Sequence, residues 1–157
     1  MQTTEQLKGM KIQRVFTREG ENIFDKFTYE NRTSIIRNPD GSVVAEMNNV
    51  EVPTFWSQVA TDVLAQKYFR RAGVPLFDKQ GNPLLDDNGK QKTGSEYSIK
   101  QVAKRLAGCW RFWGETNGYF ASKQDADAYQ DEMMFMIISQ MAAPNSPQWF
   151  NTGLQWA

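Results

Sequence analysis

Residues 98–114 read Ser98-Ile99-Lys100-Gln101-Val102-Ala103-Lys104-Arg105-Leu106-Ala107-Gly108-Cys109-Trp110-Arg111-Phe112-Trp113-Gly114. Ser98 followed three residues later by Gln101 is the capping-box pattern that begins a helix. Apolar residues then recur three or four positions apart, which predicts an amphipathic helix that ends near Gly114. This apolar stripe consists of Ile99, Val102, Ala103, Leu106, Ala107, Trp110 and Trp113. Cys109 falls inside the helix, where a small core residue is the usual role of a cysteine and a catalytic thiol the less frequent one.

Two further helices are predicted on either side of this one. The first covers about residues 55–71, with Thr54 as its cap. The second begins after Ser122 and runs to about Ala142. Its methionines at 133, 134, 136 and 141 fill gaps in a core or contact a partner protein. Its acidic residues are expected to complement the helix dipole on a solvated face. These acidic residues are Asp125, Asp127, Asp131 and Glu132.

The preceding part of the chain alternates between apolar and polar side chains, as strands do. Residues 11–18 are predicted to form a strand. Residues 34–37 and 42–47 flank the tight-turn sequence Asn38-Pro39-Asp40-Gly41, which predicts a β-hairpin. An isolated hairpin is marginal in water, so we expect the hairpin to pack on the helices. Residues 1–53 are therefore assigned to a β-hairpin and extended region.

A polar insert at residues 75–97 interrupts the helical region of residues 54–143. It contains an imperfect repeat, Leu76-Phe77-Asp78-Lys79-Gln80-Gly81-Asn82 and Leu84-Leu85-Asp86-Asp87-Asn88-Gly89-Lys90. An EF-hand calcium loop would need an acidic ligand where Leu84 stands and a closing glutamate that is absent. Two consecutive surface turns are therefore predicted.

The closing residues, 144–157, combine two prolines with three large aromatic side chains. They read Pro144-Asn145-Ser146-Pro147-Gln148-Trp149-Phe150-Asn151-Thr152-Gly153-Leu154-Gln155-Trp156-Ala157. The prolines end the preceding helix, and we expect a rigid loop that enters a buried strand. Such a loop can present hydroxyl, amide and backbone N–H groups to a ligand. A structural corner that plugs a core is the alternative.

Composition limits the chemistry of these 157 residues, which contain no histidine and a single cysteine. Imidazole bases, histidine metal ligands, internal disulfides and multi-cysteine zinc sites are excluded, so we expect no metal site. Basic and acidic residues balance at 18 each, so bulk charge does not indicate a nucleic-acid or membrane-surface partner. No apolar run approaches a membrane span, and the first residues lack signal-peptide features. We therefore expect a cytoplasmic protein.

Several motifs, in this order along the chain, resemble those of a known enzyme family. They are Phe16-Thr17-Arg18-Glu19-Gly20, Ile23-Phe24-Asp25, Glu51-Val52-Pro53, Trp56-Ser57-Gln58-Val59-Ala60-Thr61, Lys67-Tyr68-Phe69-Arg70-Arg71, Ser98-Ile99-Lys100-Gln101-Val102-Ala103-Lys104-Arg105 and Asn145-Ser146-Pro147-Gln148-Trp149-Phe150-Asn151-Thr152-Gly153. Together they resemble the N-terminal region of the adenosylcobalamin-dependent (class II) ribonucleotide reductases. The resemblance covers essentially all of the chain.

The resemblance implies an α+β fold. A small N-terminal antiparallel β-ribbon would precede a mainly α-helical domain, and residues 144–157 would enter the first part of a ten-stranded α/β barrel. It also implies an oxidoreductase that converts ribonucleotides to 2′-deoxyribonucleotides for DNA synthesis by thiyl-radical chemistry. Adenosylcobalamin would be bound mainly by the barrel. The implied partners are a ribonucleoside di- or triphosphate substrate, the barrel part of the reductase, and a second copy in a homodimer formed through the barrel.

The resemblance also assigns roles within the closing motif. Ser146 matches the substrate-contacting Ser or Thr of the family, which implies nucleotide binding at a phosphate or the ribose. Asn145, Pro147 and Gly153 are assigned to the shape of the loop.

The family's radical cysteine, redox cysteine pair and catalytic Asn and Glu find no match in these residues. Cys109 matches none of the family cysteines, so we expect no catalytic residue in this chain. We therefore expect a fragment, from a truncated or split gene or cut from a longer chain, that is inactive alone. The alternative is a stand-alone helical module that binds a partner protein.

Overall fold

The fold is described by a computed structural model that covers residues 9–78 and 82–155. Within these residues the strands are β1 (Tyr29–Arg37), β2 (Val43–Pro53), β3 (Val74–Pro75) and β4 (Thr93–Gly94). The α-helices are α1 (Gln58–Val63), α2 (Ile99–Thr116), α3 (Lys123–Ile138) and α4 (Ser146–Asn151). A 3₁₀ turn lies at Ile23–Lys26, and a π-helical turn at Leu64–Tyr68 continues α1. The predicted α+β class, with a small antiparallel ribbon and helices, is confirmed.

β1 and β2 form the predicted antiparallel hairpin. Its turn is closed by the N–H of Asn38, which donates to the carbonyl of Ser42 at 2.9 Å. Gly41 has a φ of 87°, a left-handed conformation that glycine adopts without steric cost. At the other end of the hairpin Val50 and Val52 are fully buried in the core. The base of the hairpin therefore packs on the rest of the molecule, as predicted.

The strand predicted over residues 11–18 is wrong. This segment runs along α3 and is held there by carboxylates. The N–H of Ile12 donates to Asp125 at 2.8 Å, and the N–H of Thr17 donates to Glu132 at 2.9 Å. Alternating side chains do not distinguish a strand from an extended segment whose backbone donors are satisfied by side chains.

The solvated face expected for the acidic residues of α3 is wrong for Glu132, which is buried. Its carboxylate accepts hydrogen bonds from the Thr17 hydroxyl at 2.6 Å and from the N–H of Phe16 at 3.1 Å. Burial raises the pKa of this carboxyl, but the hydrogen bonds from Thr17 and Phe16 outweigh burial and place the pKa below its ordinary value. Asp131 pairs with Arg14 at 2.7 Å. These acidic groups attach the N-terminal segment to α3.

The helix predicted over residues 55–71 begins later and ends earlier. Ser57 caps it instead of Thr54, because the Ser57 side chain accepts a hydrogen bond from the first turn. Helical structure ends at Tyr68, since Phe69 is extended. The periodicity locates the helix, while hydrogen bonds at its ends decide its length.

The helix and capping box predicted at Ser98 are confirmed. α3 is capped by Ser122, also as predicted, but it ends at Ile138 instead of near Ala142. Gln140 has a φ of 61°, a left-handed conformation that does not continue a helix. The last apolar residues of this segment therefore lie outside α3.

The core lies where α2 and α3 pack against each other and against the base of the hairpin. Trp56, just before α1, is 7% exposed, and its indole N–H donates to the carbonyl of Ile138 at 2.8 Å. The fully buried members include Val50, Val52, Ala65, Ile99, Val102, Ala103, Leu106, Ala107 and Ile138. The apolar stripe predicted for α2 supplies five of these residues, so α2 is the central helix of the molecule.

The polar insert forms a surface turn at its second repeat, as predicted. β3 and β4 pair in antiparallel fashion, and the Asp86 carboxylate accepts the N–H groups of Asn88 and Lys90 at 2.9 Å each. Residues 79–81 of the first repeat lie outside the described residues. Within the described ranges no three His, Cys, Asp or Glu side chains are grouped as metal ligands. Among the same residues, no helix has the length and apolar character needed to cross a membrane.

Candidate functional site

Residues 145–153 fold as a short helix and a turn, so the predicted loop into a buried strand is wrong. Asn145 caps α4, and its side-chain oxygen accepts a hydrogen bond from the N–H of Gln148 at 3.3 Å. Pro147 lies in the first turn of α4, where a missing N–H loses no helical hydrogen bond. Pro147 therefore suits the start of α4, whereas α3 has already ended at Ile138, before either proline.

The four predicted site residues lie at the two ends of this segment. Asn145, Ser146 and Pro147 are exposed together at the start of α4. Gly153 is buried at the opposite end, with a φ of 79°. A Cβ atom at Gly153 would lie 2.6 Å from the carbonyl oxygen of Arg105, so this close approach to α2 requires glycine. Three of the predicted residues thus share one surface, and the fourth anchors the segment.

Aromatic side chains seat α4 on the end of the π-helical turn. The ring of Tyr68 stacks on Trp149 with 5.3 Å between centroids, and packs against Phe150 at the same distance. Trp149 is buried, whereas Phe150 is 46% exposed. The hydroxyl of Tyr68 lies 3.1 Å from the hydroxyl of Ser146. Ser146 is therefore exposed to solvent but linked to a neighbouring element.

A buried ion pair between Arg105 and Glu96 anchors residues 145–153. The side chains of Arg105 and Glu96 are each 2% exposed and approach to 2.7 Å. The Arg105 guanidinium also donates to the carbonyls of Thr152 at 2.7 Å and of Trp149 at 3.3 Å. Glu96 in turn accepts the N–H of Arg70 at 2.8 Å. Both charges are paired and hydrogen-bonded, and these interactions offset the free-energy cost of removing the charges from water.

Sequence reasoning did not identify this ion pair. Arg105 carries a signal, because it lies three residues after Val102 and directly before Leu106, on the apolar side of α2. A charge at such a position has to be paired. Glu96 carries no comparable signal, since it belongs to a polar insert where an acidic residue is ordinary.

Cys109 lies against the closing segment, beside Gly153. It is 3% exposed, which confirms the prediction of a small core residue. Burial raises the pKa of the Cys109 thiol, and the Gly153 N–H and the charge of Arg105 offset only part of that rise. A buried thiol with a raised pKa is a poor nucleophile, so its surroundings favour a packing role.

The residues described here do not by themselves fit a corrinoid cofactor. An open groove of about 670 Å³ runs beside α4, between aromatic residues of α2 and the closing segment. Its lining residues are Cys109, Phe112, Trp113, Asn151, Gly153, Leu154 and Gln155. The chain has no histidine to ligate cobalt, and the groove offers a protonated thiol and two amides in its place.

Comparisons with known proteins agree with one another. Residues 30–140 match the N-terminal family model of class II vitamin B12-dependent ribonucleotide reductase. The vitamin B12-dependent ribonucleotide reductase of Bradyrhizobium diazoefficiens is 51% identical in an alignment 164 positions long, gaps included, that covers 94% of this chain and 13% of the relative. The enzyme of the same name from Agrobacterium fabrum is 44% identical, with the same coverage. That of Streptomyces coelicolor is 36% identical over 93% of this chain and 13% of the relative.

The chain thus spans about 13% of the length of these curated relatives. The family match covers most of the chain and includes all but the first residue of β1, and β2, α1, α2 and α3 in full. The family name implies cobalamin as the cofactor. On this evidence the chain belongs to the class II vitamin B12-dependent ribonucleotide reductases.

Proposed function

We propose that this chain is the N-terminal part of an adenosylcobalamin-dependent ribonucleotide reductase and that its residues 145–147 contact the nucleotide substrate. Ser146 donates a hydrogen bond to a phosphate or ribose oxygen, and Asn145 and Pro147 shape the loop around it. Gly153 permits the close approach to α2. The proposal is supported chiefly by one observation: Ser146 is exposed on a segment that a buried ion pair anchors.

The anchoring matters because a substrate-binding group must already be oriented before the substrate arrives. Arg105 fixes the carbonyls of Trp149 and Thr152, and the Arg70 guanidinium donates to the carbonyl of Leu154 at 2.9 Å. The backbone after Ser146 is therefore held at three points. Less conformational entropy is lost on binding when the loop is fixed in this way.

The proposed reaction replaces the 2′-hydroxyl of a ribonucleoside di- or triphosphate by hydrogen, for DNA synthesis in the cytoplasm. The radical and redox thiols come from an α/β barrel outside these residues, since Cys109 is the chain's single cysteine and is buried. In this proposal the barrel binds most of the adenosylcobalamin and forms the homodimer. The part played by residues 145–153 is to bind and orient the substrate.

A reconstitution experiment tests the proposal. The chain is incubated with adenosylcobalamin, a dithiol reductant and CDP or CTP, with and without the separately produced remainder of the reductase. We expect deoxyribonucleotide when both parts are present and none from the chain alone. Product from the chain alone would contradict the expected location of the thiols. An inactive full-length protein would refute the proposed reaction.

The role of Ser146 is tested by Ser146→Ala in the full-length reductase. A hydrogen bond to a charged oxygen contributes about 1.5–3 kcal/mol, so KM should rise about 10- to 150-fold. Ser146→Thr retains the hydroxyl and is the matched control. If KM is unchanged in Ser146→Ala, Ser146 does not bind substrate.

A stand-alone interaction module is the second candidate, because three aromatic side chains of α2 and α4 are about half exposed. Phe112 and Trp113 are each 48% exposed, and Phe150 is 46% exposed. Versions of the chain that end at residue 143 and at residue 157 separate the two candidates by sedimentation and apolar-dye binding. A module predicts a monomer without dye binding for the longer version. The reductase proposal predicts dye binding and self-association for the longer version, because Phe112, Trp113 and Phe150 would be covered only by the barrel.

A further inference from the structure

A second hydroxyl lies beside Ser146, and none of the roles above uses it. The Tyr68 Oη and Ser146 Oγ atoms are 3.1 Å apart. Ser146 is exposed and Tyr68 is partly buried, so the pair lies at the surface. Tyr68 is the last residue of the π-helical turn Leu64–Tyr68. π-Helical turns are frequent at functional sites, and Tyr68 is the residue that ends this one.

Hydrogen-bond counting shows what this pair of hydroxyls can do. Each hydroxyl has one proton and two acceptor positions, and the contact between them uses one of the two protons. One proton therefore remains to be donated outward, whichever residue donates within the pair. A hydroxyl whose oxygen already accepts a hydrogen bond is polarised, which strengthens the bond it donates in turn.

The phenol ring of Tyr68 is held by contacts that do not involve its oxygen. It lies at 22° to the ring of Trp149 and at 50° to the ring of Phe150, with 5.3 Å between centroids in both cases. The orientation of the hydroxyl is thus set by aromatic packing. Removal of the oxygen alone should leave α4 in place, so a hydroxyl effect can be separated from a packing effect.

We propose that Tyr68 is a positioning residue for the ribonucleotide substrate. In this proposal the Tyr68 hydroxyl donates to Ser146 Oγ and fixes the Ser146 rotamer, so that the Ser146 proton is free to be donated to a phosphate or ribose oxygen. This inference rests on the proposed role of Ser146 and deepens it. It predicts that Tyr68 acts on substrate binding through Ser146 and has little effect on the chemical steps.

The test uses the full-length, cobalamin-loaded reductase with Tyr68→Phe, Ser146→Ala and the double substitution. Tyr119→Phe is the matched control, because the Tyr119 side chain is 57% exposed and its backbone pairs with Met10, away from α4. KM and kcat are measured for CDP and CTP, and Kd for the same nucleotides is measured by calorimetry without cobalamin. Thermal melting of each variant reports on folding.

We expect Tyr68→Phe to raise KM and Kd about 3- to 10-fold, the effect of one neutral hydrogen bond, while kcat and the melting temperature change little. In the Ser146→Ala background, Tyr68→Phe should have no further effect. Tyr119→Phe should behave like the parent enzyme.

Each other outcome overturns a distinct statement. If Ser146→Ala raises KM and Tyr68→Phe does not, the role of Tyr68 is wrong and that of Ser146 stands. If neither substitution changes KM or Kd, the proposed substrate contact itself fails. Equal effects of Tyr68→Phe in both backgrounds would show that Tyr68 acts independently of Ser146. A large drop in the melting temperature of Tyr68→Phe would assign the hydroxyl to folding.

Discussion

Glu96→Gln keeps the size of the side chain and removes the charge that faces Arg105. Glu96 accepts hydrogen bonds from the Arg105 guanidinium at 2.7 and 3.1 Å and from the Arg70 N–H at 2.8 Å. Both members of the ion pair are 2% exposed, so water cannot replace the lost carboxylate. Removal of one partner from a buried pair costs about 3–5 kcal/mol, because the remaining charge is left uncompensated. Domain stabilities are roughly 5–15 kcal/mol, so the loss is a large fraction of the total.

The free energy of unfolding is measured by urea titration of the 157-residue chain, followed by tryptophan fluorescence. Glu115→Gln is the control, since it removes an ion pair with Arg111 at 3.1 Å in which the Glu115 side chain is 42% exposed. An exposed i,i+4 pair contributes about 0.3–0.5 kcal/mol. If Glu96→Gln costs no more than Glu115→Gln, the buried pair does not anchor the closing segment and the reasoning is refuted.

Three further predictions concern the same structure. Gly153→Ala places an alanine at a φ of 79° and a Cβ atom 2.6 Å from the Arg105 carbonyl oxygen. Gly89 has a similar φ of 75° but open space around it, so Gly89→Ala is the control. The melting temperature should fall more in Gly153→Ala than in Gly89→Ala. The lowered pKa of Glu132 means that its stabilising contribution is complete above the ordinary carboxyl pKa and is lost as pH falls through the folded value. The difference in unfolding free energy between the chain and Glu132→Gln should therefore shrink as pH falls below the ordinary carboxyl pKa of 4.5, and a constant difference would contradict the role given to this carboxylate. Cys109 is 3% exposed and burial raises the pKa of its thiol. Its reaction with a thiol reagent should therefore be limited by the rate of local or global unfolding. Rapid labelling of the folded chain would show instead that the thiol is accessible at the surface.

The parts of the fold that sequence predicted correctly are determined by local interactions. The Ser98 and Ser122 caps bond to residues two or three positions away, and the hairpin turn at Gly41 depends on four neighbouring residues. The apolar stripe of α2 is also predictable from sequence, because burial of one helix face requires apolar residues at every third or fourth position. Local signals of this kind need no knowledge of the rest of the chain.

The parts that were missed depend on distant residues. The N-terminal segment is extended because Glu132, more than 100 positions away, binds its N–H groups. The contact between Tyr68 and Ser146 spans 78 positions. Arg105 and Glu96 are close in sequence, but their burial follows from the closing segment that covers them. The resemblance to a family leads to a proposed role for Ser146, whereas the groups that hold its segment are seen only in the structure.

A structure of the complete reductase with a bound ribonucleotide tests the central claim most directly. The account predicts that Ser146 Oγ lies about 2.5–3.0 Å from a phosphate or ribose oxygen, with α4 still seated on the Arg105–Glu96 pair. A nucleotide bound elsewhere, with Ser146 in contact with protein atoms alone, would contradict it.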